Sequence, residues 1–130
     1  MESTTSTSPV TGRTYIVPTI DSGKALDTFL SGNKGKKVVA VQGLGFVGTV
    51  MSLVISDTDL AEYAVIGVDL ASKESYWKIA EINEGICPIV SSDPMVSELF
   101  DKAVKKGNFY ATSDQDSLAF ADVVIVAINL

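Results

Sequence analysis

A doubly wound α/β fold around a parallel sheet is what this sequence predicts, and three observations predict it. The first is a short apolar run, Lys37-Val38-Val39-Ala40-Val41, that passes through Gln42 into Gly43-Leu44-Gly45-Phe46-Val47-Gly48. The second is another apolar run, Ala64-Val65-Ile66-Gly67-Val68, that stops on Asp69. The third is the near-continuous β-branched stretch Val123-Val124-Ile125-Val126-Ala127-Ile128. A run of that kind belongs to a parallel strand buried on both faces. Helical patterns lie between these runs, so strands alternate with helices.

Taken in order, residues 1 to 13 are rich in Ser and Thr and almost free of large apolar side chains. Too little apolar surface is available there to offset ordering entropy, which predicts a mobile tail. Asp21 or Ser22 is placed to cap a short helix with Ala25, Leu26, Phe29 and Leu30 on one face, stopped by Gly32. Asn33-Lys34-Gly35-Lys36 reads as the turn into the first strand. Residues 1–35 thus form an N-terminal extension, and residues 36–130 the domain proper.

The first strand leads to a helix from about Phe46 to Ser56, whose Val47, Val50, Met51, Val54 and Ile55 make a broad apolar face. After the second strand, Ser72 is expected to cap a helix running to about Asn83, with Gly85 as its stop. Asp93-Pro94 opens a further helix carrying Val96, Leu99, Phe100, Ala103 and Val104, closed by Gly107. Phe109-Tyr110-Ala111 is a short strand, and Asp114 or Asp116 can cap a single helical turn before the last run. Four strands in the spatial order 3-2-1-4 are expected. A complete fold of this type has two βαβαβ halves, so the chain reads as truncated after its fourth strand.

The order strand, glycine-rich turn, helix, strand, acid is the fingerprint of a Rossmann-type dinucleotide site. Gly43 permits the tight turn off the first strand. Gly45 lets the main chain approach a pyrophosphate, and Gly48 lets the helix press against the sheet. The helix start offers unpaired N–H groups and the positive end of its dipole to the phosphates. Asp69, 21 residues past Gly48, is placed to accept hydrogen bonds from ribose hydroxyls.

Composition excludes several other functions. A net charge of −6 disfavours a nucleic-acid or anionic-membrane surface. No apolar stretch nears the ~18 residues that span a bilayer, and the N-terminus lacks the apolar centre of a signal peptide. A cytoplasmic location follows as an expectation. With one cysteine and no histidine, an intrachain disulfide, a multi-ligand Cys/His zinc site and a histidine base are all excluded. Cys87, before Pro88-Ile89-Val90, has no nearby histidine or lysine and reads as a small, at least half-buried apolar residue.

Beyond the glycine turn, the sequence resembles the nucleotide-sugar dehydrogenases that oxidise UDP-glucose, UDP-N-acetylhexosamines or GDP-mannose. The likeness runs from Val39-Ala40-Val41-Gln42-Gly43-Leu44-Gly45-Phe46-Val47-Gly48 through Gly67-Val68-Asp69, Ile82-Asn83-Glu84-Gly85 and Cys87-Pro88-Ile89. It continues through Ala111-Thr112-Ser113-Asp114 and Ala121-Asp122-Val123-Val124-Ile125-Val126, covering about residues 37 to 130. The resemblance implies NAD as cofactor, held by Gly43, Gly45, Phe46, Val47, Gly48 and Asp69. Lys73 would lie near the adenosine ribose and Asn129 where the chain passes the cofactor.

The resemblance also implies a full-length, homo-oligomeric parent enzyme that oxidises a sugar C6 alcohol to a carboxylate in two hydride transfers. Its catalytic cysteine, lysine and asparagine would lie beyond this chain, which alone would turn over no nucleotide sugar. The chain departs from the family in having Ser91-Ser92-Asp93-Pro94 where a Glu-Pro pair is common. It also ends in Ile128-Asn129-Leu130 where Pro-Thr-Pro is common. Two other readings stay open: a 6-phosphogluconate or hydroxyacid type of NAD-dependent dehydrogenase, and a non-catalytic nucleotide-binding module.

Overall fold

Residues 4–19 and 23–128 are described by the computed structural model. Among the described residues, six strands and four α-helices follow one another as β1 (Thr5–Thr7), β2 (Thr14–Ile16), α1 (Lys24–Gly32), β3 (Lys37–Gln42), α2 (Phe46–Asp57), β4 (Tyr63–Val68), α3 (Tyr76–Glu84), α4 (Pro94–Lys106), β5 (Phe109–Thr112) and β6 (Val123–Val126), with a 3₁₀ helix over Gln115–Phe120. The main sheet is parallel and ordered β5-β4-β3-β6. That is the expected 3-2-1-4 arrangement of a Rossmann-type doubly wound sheet. β3 lies at its centre, with Val39 opposite Val65 on one side and Val123 on the other.

Strand periodicity divides the core between two faces. Ala40, Ile66 and Val68 bury against Leu26 of α1, with Phe29, Leu30, Tyr110 and Leu118 around them. Phe29 and Tyr110 stack with ring centroids 5.5 Å apart. On the opposite face, Val39, Val41 and Val65 pack with Ile55 of α2. Beside them Leu44, Leu53, Ile79, Ile82, Val96, Phe100 and Ala103 join α2, α3 and α4 in a second cluster. Asn83 explains part of the Ile82-to-Gly85 stretch. Its Nδ2 donates to the Ala111 carbonyl at 2.7 Å and its Oδ1 accepts from the Ala111 N–H at 2.9 Å. One amide therefore stands in for a missing strand partner on the β5 edge and ties α3 to the sheet.

The N-terminal segment corrects the expectation of a mobile tail to residue 13. β1 and β2 form an antiparallel hairpin, with Ser6 opposite Tyr15, and Ser6 and Ser8 are fully buried. Apolar burial is not what orders it. Ser8 Oγ, Thr11 Oγ1 and the Tyr15 hydroxyl donate to the carboxylate of Glu81 on α3 at 2.9, 2.6 and 3.1 Å. Hydrogen bonds to a buried charged acceptor are among the stronger ones, and composition does not register them. Partial desolvation, together with the Glu81 and Glu84 carboxylates, pushes the Tyr15 phenol above its usual pKa.

Two further boundaries move. α3 starts at Tyr76, not at Ser72, because residues 72–75 form a separate turn in which Ser72 accepts from the Ser75 and Tyr76 N–H groups. β6 is an edge strand pairing only with β3 among the described residues. Val123, Val124 and Val126 are exposed, Val126 to 61%: a β-branched run suited to burial on both faces stands here as the exposed apolar edge expected of a sheet that reads as truncated after its fourth strand. The caps expected at Asp21 or Ser22 lie outside the described residues; α1 begins after Gly23. Asp93 caps α4 by accepting from the Met95 N–H at 2.9 Å, and Asp114 caps the 3₁₀ helix. Among the described residues no helix is long and apolar enough to cross a membrane.

Cys87 is half-buried against the cluster of α2, α3 and α4. Burial pushes its thiol pKa up, a hydrogen bond with the Ile89 backbone opposes this in part, and the Asp101 carboxylate adds to the rise. A raised pKa leaves less thiolate at neutral pH than a free thiol has. Alkylation by iodoacetamide at pH 7.5 is therefore expected to run slower than that of glutathione in the same assay. A rate equal to or above glutathione's would show Cys87 to be an activated thiol.

Candidate functional site

The carboxyl ends of β3, β4 and β6 meet at one edge of the sheet, where the chain order reverses about β3. Open α/β sheets form their ligand crevices at such switch points. Here the crevice is a cleft of about 550 Å³ whose walls include Gly43, Gly45, Phe46, Val47, Asp69 and Lys78.

The glycine turn builds its floor. Gly43 has φ +105°, a region L side chains rarely adopt, and a Cβ there would also overlap the Ala127 carbonyl. Its N–H donates to Val68 O at 2.7 Å, joining the turn to the end of β4. Leu44 points inward and is fully buried, and its carbonyl accepts from Thr49 Oγ1 at 3.0 Å. Gly45 is the residue before α2, extended at φ −71°, ψ −167°. A Cβ on Gly45 meets nothing within 4 Å, so open space lies directly before the helix N-terminus. A Cβ on Gly48 would instead overlap the Gly43 carbonyl oxygen and lie 2.9 Å from its carbon.

The first intrahelical bond of α2 runs from Thr49 N to Gly45 O at 3.0 Å. The N–H groups of Phe46, Val47 and Gly48 precede it, which leaves the helix start able to receive an anion. Phe46 and Val47 are largely exposed on the lip of the cleft.

Asp69 stands across from this turn. Its Oδ2 accepts from the Leu44 N–H at 2.9 Å and from Lys78 Nζ at 3.2 Å, and its Oδ1 accepts from the Leu70 N–H at 2.7 Å. Both side chains of the pair are largely buried, with 17% of Lys78 and 13% of Asp69 exposed. A carboxylate has roughly four acceptor positions, so these three bonds leave it capacity for another donor.

Lys73 is not among the cleft-lining residues and is exposed on the turn before α3. The lysine that reaches Asp69 is Lys78. The family resemblance implied Lys73, but residues 70–75 are spent on turns and α3 starts late. A lysine in the first turn of the helix that follows β4 is the signal that points to Lys78. Asn129 lies outside the described residues. Of the residues expected from the sequence, Gly43, Gly45, Phe46, Val47 and Asp69 line one cleft, whereas Gly48 is not on its wall and packs against the Gly43 carbonyl.

Residues 37–130 match the model of the NAD binding domain of the UDP-glucose/GDP-mannose dehydrogenase family. The chain belongs to that family. Among solved structures, an NDP-N-acetyl-D-galactosaminuronic acid dehydrogenase from Methanosarcina mazei Go1 is similar at 32% identity and a TM-score of 0.66, over 80% of this chain. A UDP-D-ManNAc dehydrogenase from Pyrococcus horikoshii shares the fold over 70% of this chain, at 23% identity and a TM-score of 0.58. This chain spans only 22% and 20% of those two proteins. No curated protein sequence matches it. The family domain begins at β3, so the β1–β2 hairpin and α1 stand outside it.

Proposed function

We propose that this cleft binds NAD, and that the chain is the cofactor-binding part of an enzyme oxidising the C6 alcohol of a UDP- or GDP-sugar to a carboxylate. The observation that carries the reading is the open space before Gly45, at the start of α2 and at the switch point of the sheet. Residues and cofactor fit each other. The N–H groups of Phe46, Val47 and Gly48 would hold the pyrophosphate, and its two charges would be met by the helix dipole. Gly43 and Gly48 keep the turn close enough to α2 for that geometry. Asp69 would accept from the adenosine ribose, with Lys78 holding the carboxylate in place. Bound NAD would supply the hydride acceptor, and the protein's task is to position it.

Family membership supports the cofactor, and the likeness to nucleotide-sugar dehydrogenases supports the substrate class. A homo-oligomeric parent belongs to the same proposal.

The test is a calorimetric titration with NAD and NADP. NAD is expected to bind roughly tenfold or more tightly, because the ribose 2′-hydroxyl can donate to Asp69 whereas a 2′-phosphate meets a carboxylate. Asp69→Asn should shrink that preference. Equal or tighter NADP binding by the unaltered chain would remove Asp69 from the proposed role, and no binding of either would overturn the cofactor site.

A further inference from the structure

The β1–β2 hairpin lies outside the family domain, yet its polar side chains run along one face of the helix that carries Lys78. Ser6 is fully buried, and its Oγ donates to the Lys73 carbonyl at 2.7 Å and accepts from the Trp77 N–H at 3.0 Å. Trp77 is the second residue of α3. The residue at the helix cap, Ser75, makes no side-chain capping bond. The N-cap of α3 therefore comes from a strand 71 residues earlier in the chain.

One and two turns further along, Glu81 receives Ser8, Thr11 and Tyr15, and Glu84 pairs with Arg13 at 3.6 Å. The segment clamped by Ser6, residues 73–77, contains the cleft-lining Ser75 and ends one residue before Lys78.

We infer that the hairpin is a positioning clip for the adenosine end of the cleft, with Ser6 as the positioning residue acting through the first turn of α3 on the Lys78–Asp69 pair. This rests on the reading of the cleft as a dinucleotide site. An orphan N–H at a helix start is ordinarily capped from the same segment, and a loss of that cap frays the first turn. Here fraying displaces Lys78 from Asp69, whose other oxygen and remaining bonds hold the Leu44 and Leu70 N–H groups. The glycine turn at the pyrophosphate end shares the Asp69–Leu44 bond with this pair but has two further braces of its own, Gly43 N to Val68 O and Thr49 Oγ1 to Leu44 O. The clip's influence is thus greatest at the adenosine end of the ligand.

The experiment compares the unaltered chain with Ser6→Ala and Thr11→Val, each alone and combined with Lys78→Met, using NAD, ADP and nicotinamide mononucleotide as probes in ligand-observed NMR. Circular dichroism confirms that the sheet remains folded. Ser6→Ala is expected to weaken NAD and ADP alike by about three- to tenfold, with nicotinamide mononucleotide unchanged. Thr11→Val should act in the same direction. In the Lys78→Met background the Ser6 effect should vanish, since interacting residues are non-additive. A folded Ser6→Ala chain with unchanged affinity overturns the clip while leaving the cofactor site standing. So does a loss that persists undiminished with Lys78→Met, because hairpin and lysine would then act independently. Failure of the unaltered chain to bind NAD or ADP overturns the cofactor site and the clip together.

Discussion

Replacing Gly48 with Ala is expected to cost the domain about 3 kcal/mol of stability, at the upper end of what overpacking normally costs. The reason is the identity of the atoms involved. A Cβ at this position overlaps the carbonyl oxygen of Gly43, and its next neighbour is that residue's carbonyl carbon at 2.9 Å. Neither is the far end of a flexible side chain. Both belong to a backbone held by the Gly43-to-Val68 bond and by a φ of +105°. Relief requires α2 to move away from β3, which would open the contacts of Leu53 and Ile55 with the core. Urea unfolding followed by circular dichroism measures the loss, and the thermal midpoint should fall by roughly 10 °C or more. A variant with the unaltered midpoint would show that helix and turn are not packed as closely as described.

Gly45→Val is expected to have the opposite profile, with NAD affinity reduced roughly a hundredfold and the fold retained. Valine adopts the extended conformation seen at Gly45, and nothing in the protein lies within 4 Å of the new Cβ. A modest cost of about 1 kcal/mol remains, because valine is a poor helix N-cap. The methyl groups would fill the space before the helix start, so an anion could no longer approach the N–H groups of α2. A loss of about 3 kcal/mol of phosphate interaction corresponds to that hundredfold. Calorimetry with NAD, after circular dichroism has shown a folded chain, decides the matter. A folded Gly45→Val chain binding NAD normally would falsify the phosphate site. The two glycines thus separate packing from binding within one short turn.

How much of this was legible beforehand depends on whether a feature is local in sequence. The strand-turn-helix of residues 37 to 57 could be read because apolar periodicity and glycine spacing act through neighbours a few residues apart. The helix ends at Gly85 and Gly107 and the cap at Asp93 were legible for the same reason. Lys78 was not, because its meeting with Asp69 depends on how many residues the intervening turns consume. The hairpin was hidden for a different reason. Composition weighs apolar surface, whereas Ser6, Ser8, Thr11 and Tyr15 are held by hydrogen bonds to a helix 66 to 73 residues away.

By itself the sequence determined the alternation of strands and helices, the strand order and the turn on which an anion can sit. Each follows from short-range rules: side-chain periodicity, the stereochemistry of glycine and the handedness of parallel connections. Tertiary structure alone decided which lysine faces Asp69 and that a polar segment outside the family domain caps α3. These outcomes turn on pairing between groups distant in the chain. A hydroxyl or a lysine carries no mark of its partner until the fold brings the two within about 3 Å.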